Sequence, residues 1–248
     1  MPSWTVQTSG VTQRLRGVSA VSERVARDVR AIGPQEMTVL PNGIHVDAWR
    51  PVGSRTAADR VELISVMRLN VKKRPLKLVD MMRALLARLP ASQRVRLRIV
   101  GDGPERRHVE RAIARYGLSG EVELLGRRSR DEIRALLWSS DVFVLPTIRE
   151  SFGIAALEAR CAGLPVVAMR ASGVAELIEH GREGLLADSD VDLVDWVAAL
   201  VQDPTGRALI AEHNRSTAPP YDWSRVIEVH LTIYREAIAL RDNARADT

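Results

Sequence analysis

Two glutamates eight positions apart, Glu150 and Glu158, flank a run of small and apolar residues in the segment ESFGIAALE. The residues after Pro146 are typical of a loop followed by a short helix, and Gly163 is a typical stop for that helix. If the whole interval were helical, a rise of about 1.5 Å per residue would place the two carboxylates about 12 Å apart. That distance is close to the length of a diphosphate with a sugar on each side, so each carboxylate could bind the hydroxyls of one sugar.

The predicted helix also has a start that suits an anion. A helix that begins near Phe152 directs unpaired backbone N–H groups and a partial positive charge toward the preceding loop, which favours phosphate. On this hypothesis Glu158 binds a ribose, Glu150 binds the second sugar, and a diphosphate lies between them. The alternative is that Glu150 is a solvated loop residue and Glu158 pairs with Arg160 or another surface arginine; an isolated pair of glutamates favours this alternative.

The lysines of the chain are also clustered. All three, Lys72, Lys73 and Lys77, lie in the segment VKKRPLK, whereas arginine is the basic residue everywhere else. A compact ammonium group suits some anion chemistry better than the planar guanidinium of arginine. Codon preference or chance are the alternative explanations for the cluster.

Strands and helices that could position these residues alternate along the chain. Apolar strand candidates lie at 61–67, 95–101, 122–125, 141–146 and 165–169, and helical periodicity is found between them, for example at 75–89 and 131–140. This alternation predicts an α/β fold with a doubly wound parallel sheet. Ligands of such sheets bind at the carboxyl ends of the strands. A site is therefore expected around Arg68, Gly101, Gly126, Thr147 and Ser172.

Composition narrows the class of protein. The chain has 248 residues, 46% hydrophobic and 27% charged, with a net charge of +5. No apolar run approaches the roughly 20 residues that span a bilayer, and the first residues lack the layout of a secretion signal, so a cytoplasmic location is predicted. Dispersed basic residues and few aromatics predict no nucleic-acid partner and favour anionic ligands, with peripheral contact to an anionic membrane as the open alternative. The single cysteine, Cys161, is predicted to be a core residue.

Seven segments, taken in order, resemble the retaining glycosyltransferases of family 4, which have the GT-B fold. The segments are 18–29, 39–51, 65–75, 98–112, 122–168, 172–187 and 221–226. The most specific element is the E-x7-E signature formed by Glu150 and Glu158, followed by the run GLPVV. The resemblance implies that most of the chain is the Rossmann-like C-terminal half of a GT-B fold, with a short remnant of the N-terminal domain.

The resemblance also implies roles for individual residues. Arg68 and Lys73 correspond to the family's contacts with the donor diphosphate, and together with Glu150 they are the implied catalytic residues. The implied donor-binding residues are Gly101, Gly126, Arg127, Ser151, Phe152, Gly153, Ile154 and Glu158. The chain departs from the family pattern at Met67, before Arg68, and at Arg74, after Lys73, since glycine is usual at both positions.

The domain limits that follow are 1–36 for the remnant of an acceptor domain, 37–222 for the donor-binding domain, and 223–248 for a C-terminal crossover helix and tail. The implied reaction transfers a hexose-type sugar from a nucleoside diphosphate sugar to an acceptor hydroxyl with retention of configuration. No metal and no other cofactor are expected, because a basic pair faces the diphosphate. An N-terminal acceptor domain or a partner chain is expected to complete the enzyme.

Other functions stay open at this point. A non-catalytic nucleotide-sugar-binding subunit would keep the donor motifs, and a nucleotide-sugar epimerase of related architecture is a further alternative. A glycosidase is disfavoured, because hydrolases place two carboxyls roughly 5 to 10 Å apart across one bond. The sequence does not identify the donor sugar, the base or the acceptor.

Overall fold

The computed structural model describes residues 18–31, 37–53 and 59–246. Two compact units are found: the larger covers Val46–Pro219, and the smaller combines the segments before and after it. The predicted domain limits 1–36, 37–222 and 223–248 stay a prediction, and part of the first of these segments lies outside the described residues. No described helix is long and apolar enough to cross a membrane.

In the described part of the smaller unit there are two short strands and two helices. They are β1 (Ser19–Ala20), α1 (Glu23–Arg30), β2 (Thr38–Val39) and α8 (Trp223–Ala246). β1 pairs in parallel with β2. Ser22 is the N-cap of α1, and its hydroxyl accepts a hydrogen bond from the Val25 amide at 3.2 Å.

The larger unit is built on one parallel sheet of six strands. The strands are β3 (Val61–Val66), β4 (Val95–Val100), β5 (Val122–Gly126), β6 (Val142–Leu145), β7 (Val166–Met169) and β8 (Gly184–Ala187). Their order in the sheet is β5-β4-β3-β6-β7-β8, and every neighbouring pair is parallel. The five predicted strands are therefore confirmed, whereas β8 was not predicted. The chain order reverses between β3 and β6, which makes this the point where a ligand is expected.

Six helices connect or follow these strands. They are α2 (Pro75–Leu86), α3 (Arg106–Arg115), α4 (Arg130–Trp138), α5 (Ile154–Cys161), α6 (Asp190–Gln202) and α7 (Pro204–Ser216). In α2, Pro75 occupies the first turn and Leu78, Met82 and Leu85 form a fully buried stripe at i, i+4 and i+7. Every residue of β6 and β7 is buried, as expected of central strands in a covered parallel sheet. Cys161 is also buried, which confirms its predicted place in the core.

Candidate functional site

Lys73 and Glu150 meet at the point where the strand order reverses. Lys73 follows β3, Glu150 follows β6, and these two strands are neighbours in the sheet. The Lys73 Nζ lies 2.5 Å from the Glu150 Oε2, and the two side chains are 26% and 16% exposed. The second carboxylate oxygen of Glu150 accepts a hydrogen bond from the Ser151 amide at 3.2 Å. A partly buried ion pair thus lies where doubly wound sheets bind ligands.

The loop that carries Lys73 is held by its own polar groups. Residues Val71–Lys73 form a short 3-10 turn, and the Asn70 side chain caps it by accepting from the Lys73 amide at 3.0 Å. The carbonyl of Lys73 accepts a hydrogen bond from the Thr147 hydroxyl at 3.2 Å, and Thr147 is fully buried. Lys72 is exposed and has no ion pair with a described residue. The structure therefore brings Lys73, rather than Lys72, to Glu150.

A cavity of about 700 Å³ opens at the carboxyl ends of β3, β4 and β5. The cavity is lined by three segments that follow these strands, and its cationic side chains include Arg68 and Arg127. Both side chains are exposed, and neither guanidinium makes an ion pair or a hydrogen bond within the described part of the chain. Two free cations beside a cavity of this size suit an anionic ligand of a few hundred Å³.

Gly101 shapes the wall of this cavity. It has a φ of 130°, and a Cβ there would lie 1.8 Å from the carbonyl oxygen of Met67. The Gly101 amide donates to the carbonyl of Gly126 at 2.8 Å, so Gly126 ends β5 against the same wall. Glycine is therefore required at Gly101 for packing between the strand ends, in addition to any role toward a ligand.

The start of α5 lies in the loop that carries Glu150. The helix begins at Ile154, two residues later than predicted, because Gly153 adopts a φ of 99° and ends the loop. No described side chain caps this helix start. The predicted helical spacing of about 12 Å between the glutamates does not apply, because the chain from Glu150 to Gly153 is loop. Phe152 is buried and holds the loop against the core.

A second loop supports Glu150 from the side of β7. The Gly173 amide donates to the carbonyl of Glu150 at 2.8 Å. Ser172 is buried, and its hydroxyl caps the 3-10 turn that follows. The backbone of Glu150 is therefore fixed by residues that come after β7, while its carboxylate is fixed by Lys73.

Glu158 is a mostly buried carboxyl group on α5. Its side chain is 15% exposed, and its nearest cation is Arg130 Nη2 at 4.0 Å. Burial raises the pKa of Glu158 to about 7, and Arg130 opposes this effect. No hydrogen bond from a described residue reaches its carboxyl group. A mostly buried acceptor without a donor among the described residues suits a ligand that brings hydroxyl donors.

Arg130 itself was not singled out by the sequence, since nothing in the local pattern marks it. It is the first residue of α4, and its guanidinium carbon lies 5.1 Å from the ring centre of Trp49. Of the alternative partners for Glu158, Arg160 is wrong, whereas a surface arginine is found: Arg130, whose side chain is 59% exposed, lies 4.0 Å from the carboxylate. Arg160 points into the core, where it binds Glu183 at 3.1 Å and the Leu177 carbonyl at 2.7 Å.

No group of three His, Cys, Asp or Glu side chains within the described ranges could hold a metal ion. The expectation that donor binding needs no metal stays a prediction. The predicted site residues fall into two neighbouring groups. Arg68, Gly101 and Arg127 line the cavity, whereas Lys73 and Glu150 lie outside its lining at the ends of β3 and β6.

Comparison with known proteins agrees with this fold. Residues 52–217 match the family described as glycosyl transferases group 1. D-inositol 3-phosphate glycosyltransferase of Saccharomonospora viridis is 30% identical over 223 residues, which cover 83% of this chain and 51% of that protein. The gpi3 subunit of phosphatidylinositol N-acetylglucosaminyltransferase from Schizosaccharomyces pombe is 26% identical over 216 residues, which cover 86% of this chain and 46% of that protein. The chain thus spans about half the length of these curated relatives.

Solved structures with a similar fold include Anabaena HepE in complex with UDP and glucose, with a TM-score of 0.73 and 24% identity over 90% of this chain and 63% of that one. Sucrose-phosphate synthase from Thermosynechococcus elongatus has a TM-score of 0.80 and 22% identity, covering 93% and 60%. These likenesses confirm the predicted fold class, the Rossmann-like half of GT-B glycosyltransferases. Together with the match over 52–217, they establish that the chain belongs to the glycosyl transferases group 1 family.

Proposed function

We propose that this chain is the donor-binding part of a glycosyltransferase that moves a hexose-type sugar from a nucleoside diphosphate sugar to an acceptor hydroxyl with retention of configuration. One observation carries the proposal: Lys73 and Glu150 form an ion pair where the strand order reverses, beside a cavity lined by Arg68 and Arg127, whose guanidinium groups have no partner among the described residues. A diphosphate and a sugar need both kinds of group, cations for the phosphates and a carboxylate for the hydroxyls.

The diphosphate is expected to bind Lys73, Arg68 and the amide groups at the start of α5. When the bond between the anomeric carbon and the diphosphate oxygen breaks, negative charge grows on that oxygen. Fixed cations and helix amides stabilise such charge more in the transition state than in the ground state. The acceptor hydroxyl attacks from the face that the diphosphate leaves, and the diphosphate oxygen takes its proton. Neither glutamate therefore needs to act as a nucleophile.

The two glutamates are assigned to the two sugars of the donor. Glu158 is mostly buried and accepts no hydrogen bond from a described residue, which supports a role as acceptor for the ribose hydroxyls. Glu150 lies in a loop beside the diphosphate ligand Lys73, which supports a contact with the transferred sugar. Gly101, Gly126 and Arg127 line or edge the cavity that would hold the nucleoside.

The acceptor half of the enzyme is expected from an N-terminal domain or from a partner chain. This expectation is supported by the length comparison, since the chain spans about half of its curated relatives. One of those relatives is named as a subunit, so a non-catalytic or partner-dependent role is the second candidate function. Contact with an anionic membrane surface stays a prediction based on the net charge.

A thermal-shift screen of the purified chain against ADP, GDP, UDP and their sugars tests donor binding. A ligand at 100 times its dissociation constant adds about 2.7 kcal/mol of stability. We expect one nucleoside diphosphate to raise the melting temperature, and Arg68→Ala and Lys73→Ala to abolish that rise. Arg94→Ala is the control, because Arg94 lies just before β4, at the amino ends of the strands and away from the cavity, and it binds Asp59. Stabilisation by none of these ligands would contradict the proposal.

The same labelled donor then separates the candidate functions. Transfer to an acceptor supports the glycosyltransferase, a change in the sugar while it stays on the nucleotide supports an epimerase, and binding without either reaction supports a binding subunit. A donor hydrolysed with retention would also support the proposed chemistry, since water then replaces the acceptor hydroxyl.

A further inference from the structure

Arg74 has an unusual backbone conformation directly after Lys73. Its φ is 57° and its ψ is 45°, and it is the one residue other than glycine with a positive φ within the described ranges. A side chain in this left-handed region is disfavoured relative to glycine. The position is also one at which the resemblance to family 4 leads us to expect glycine. Arginine therefore occupies this position against the local conformational preference, and the contacts of its side chain offer a reason.

The guanidinium of Arg74 joins two other parts of the larger unit. Its Nη1 donates to the carbonyl of Pro146 at 2.9 Å, and its Nη2 donates to both carboxylate oxygens of Asp190 at 2.7 Å. Pro146 is the residue after β6, and Asp190 is the first residue of α6. The side chain is 20% exposed. Charged hydrogen bonds that are partly shielded from water are among the stronger polar contacts in a protein.

A second contact reinforces the first. Thr147, the next residue after Pro146, donates its hydroxyl to the carbonyl of Lys73. Two consecutive residues after β6 are thus bound to two consecutive residues after β3. Glu150 lies three residues beyond Thr147, so these contacts set the distance between the loop with the lysine and the loop with the glutamate.

We propose that Arg74 is a positioning residue of the donor site: by binding Pro146 and Asp190 together, it holds Lys73 in the place where it meets Glu150 and the donor diphosphate. The guanidinium is already bonded through both terminal nitrogens, so it acts through Lys73 and does not touch the ligand. The inference rests on the proposed function for the identity of its ligand.

The test compares the full chain with Arg74→Gly, Asp190→Asn and the double variant. Glycine accepts the positive φ, so Arg74→Gly removes the side chain and leaves the backbone conformation intact. Calorimetry with ADP, GDP and UDP, and with the corresponding nucleosides, measures the two parts of the donor separately. We expect each single variant to bind the diphosphate about tenfold more weakly, which is about 1.4 kcal/mol. The affinity for the nucleoside should be unchanged. The double variant should lose no more diphosphate affinity than either single variant does.

Asp190→Asn gives the sharpest comparison, because it removes a negative charge. By charge alone this substitution would strengthen the binding of an anion. Weaker diphosphate binding would therefore indicate that Lys73 is no longer held in position. Lys77→Ala is the matched control, since Lys77 Nζ lies 3.5 Å from Asp190 and makes no contact with Pro146. It should bind the diphosphate as the unaltered chain does. Equal or tighter binding by Asp190→Asn, additive losses, or an equal loss in Lys77→Ala would each overturn the inference.

Amide hydrogen exchange on the ligand-free chain supplies a readout that does not depend on the donor. Arg74→Gly and Asp190→Asn should both speed exchange at 71–74 and 147–151, while Lys77→Ala should not. Unchanged exchange in both variants would overturn the positioning role. If the unaltered chain binds none of the diphosphates, the proposed function fails, and the exchange result still decides whether Arg74 holds the two loops together.

Discussion

The ammonium group of Lys73 lies 2.5 Å from a carboxylate oxygen of Glu150, although 77 positions separate the two residues in the chain. The two side chains are each other's ion-pair partners. A diphosphate that binds Lys73 therefore shares the lysine with Glu150. The two residues are coupled, so their substitutions are expected to have different and diagnostic effects.

Lys73→Ala should strongly weaken the binding of a sugar-free nucleoside diphosphate, whereas Glu150→Ala should leave the affinity for that ligand nearly intact. Loss of a charged hydrogen bond costs about 1.5 to 3 kcal/mol, or roughly ten- to hundredfold in affinity. Removal of Glu150 takes away no contact with the diphosphate, and its expected effect is poorer discrimination between donor sugars. Calorimetry with the diphosphate and with a set of its sugars measures both. Equal losses of sugar-free affinity in the two variants would show that the assignment is wrong.

Glu158→Gln should weaken nucleoside diphosphate binding, because the ribose hydroxyls would lose a charged acceptor worth about 1.5 to 3 kcal/mol. Since the pKa of Glu158 is about 7, its carboxylate form becomes dominant only above neutrality. The affinity of the unaltered chain should therefore rise between pH 6 and pH 8 relative to that of Glu158→Gln. The ligand's own phosphate titration is common to both proteins and cancels in this ratio. A ratio that is constant with pH would argue against the ribose contact.

The same carboxyl group should make folding stability depend on pH. The folded pKa of about 7 lies above the ordinary carboxyl value of 4.5, so the unfolded chain releases this proton first. Stability attributable to Glu158 is therefore complete below pH 4.5, falls as the pH rises to about 7, and stays low above it. A displacement of this size corresponds to about 3 kcal/mol. In urea unfolding, the free energy of unfolding of Glu158→Gln should rise relative to that of the unaltered chain from pH 5 to pH 7.5. A difference between the two free energies that is constant with pH would contradict this.

Most of the sheet could be predicted because its strands are long or strongly apolar. β3 and β4 each have six residues, and β6 and β7 are buried at every position. β8 escaped prediction because GLLA is a four-residue edge strand with no room for a periodic signal. The start of α5 was placed two residues early, because the left-handed conformation of Gly153 is set by tertiary packing rather than by its neighbours in sequence.

The contacts of the site were less predictable than its residues. The meeting of Lys73 with Glu150 depends on β3 lying beside β6, which the order of strands along the chain does not specify. The stacking of Arg130 on Trp49 beside Glu158 has no sequence signal at all, because the three residues come from distant segments. Arg74 could have been found, since an arginine in place of an expected glycine is itself a signal.

Gly153→Ala should destabilise the larger unit for two separable reasons. The alanine would be held at a φ of 99°, and its Cβ would lie 2.5 Å from Val174 Cγ2. Gly181→Ala is the matched control, because Gly181 has a φ of 86° and no atom within 4 Å of the added Cβ. Chemical denaturation should find a loss of about 1 to 2 kcal/mol for Gly181→Ala and a larger one for Gly153→Ala. Val174→Ala should be less destabilising, or stabilising, in the Gly153→Ala background than in the unaltered chain, because it removes the clashing atom. An equal effect of Val174→Ala in both backgrounds would exclude the clash.

The last prediction concerns α8, whose apolar side chains Ile227, Leu231, Tyr234 and Ile238 are all exposed. They recur every three or four positions and so form one stripe along the helix, which no described residue covers. An apolar stripe of this length drives association unless a partner covers it. We predict that the purified chain self-associates as its concentration rises and transfers sugar poorly, while it still binds donor nucleotide through Lys73.

Changing Ile227, Leu231 and Ile238 to glutamine tests this, because glutamine keeps a high helix propensity. Sedimentation should find this variant monomeric, with nucleotide affinity unchanged because Lys73 and Glu150 belong to the other unit. Glutamine at the exposed polar positions Glu228, Arg235 and Glu236 is the control and should leave association as it was. Transfer should appear when an N-terminal acceptor domain is supplied to the unaltered chain, and the glutamine variant should respond less because the stripe is where that domain would dock. Robust transfer by the monomeric chain alone would contradict the need for a partner.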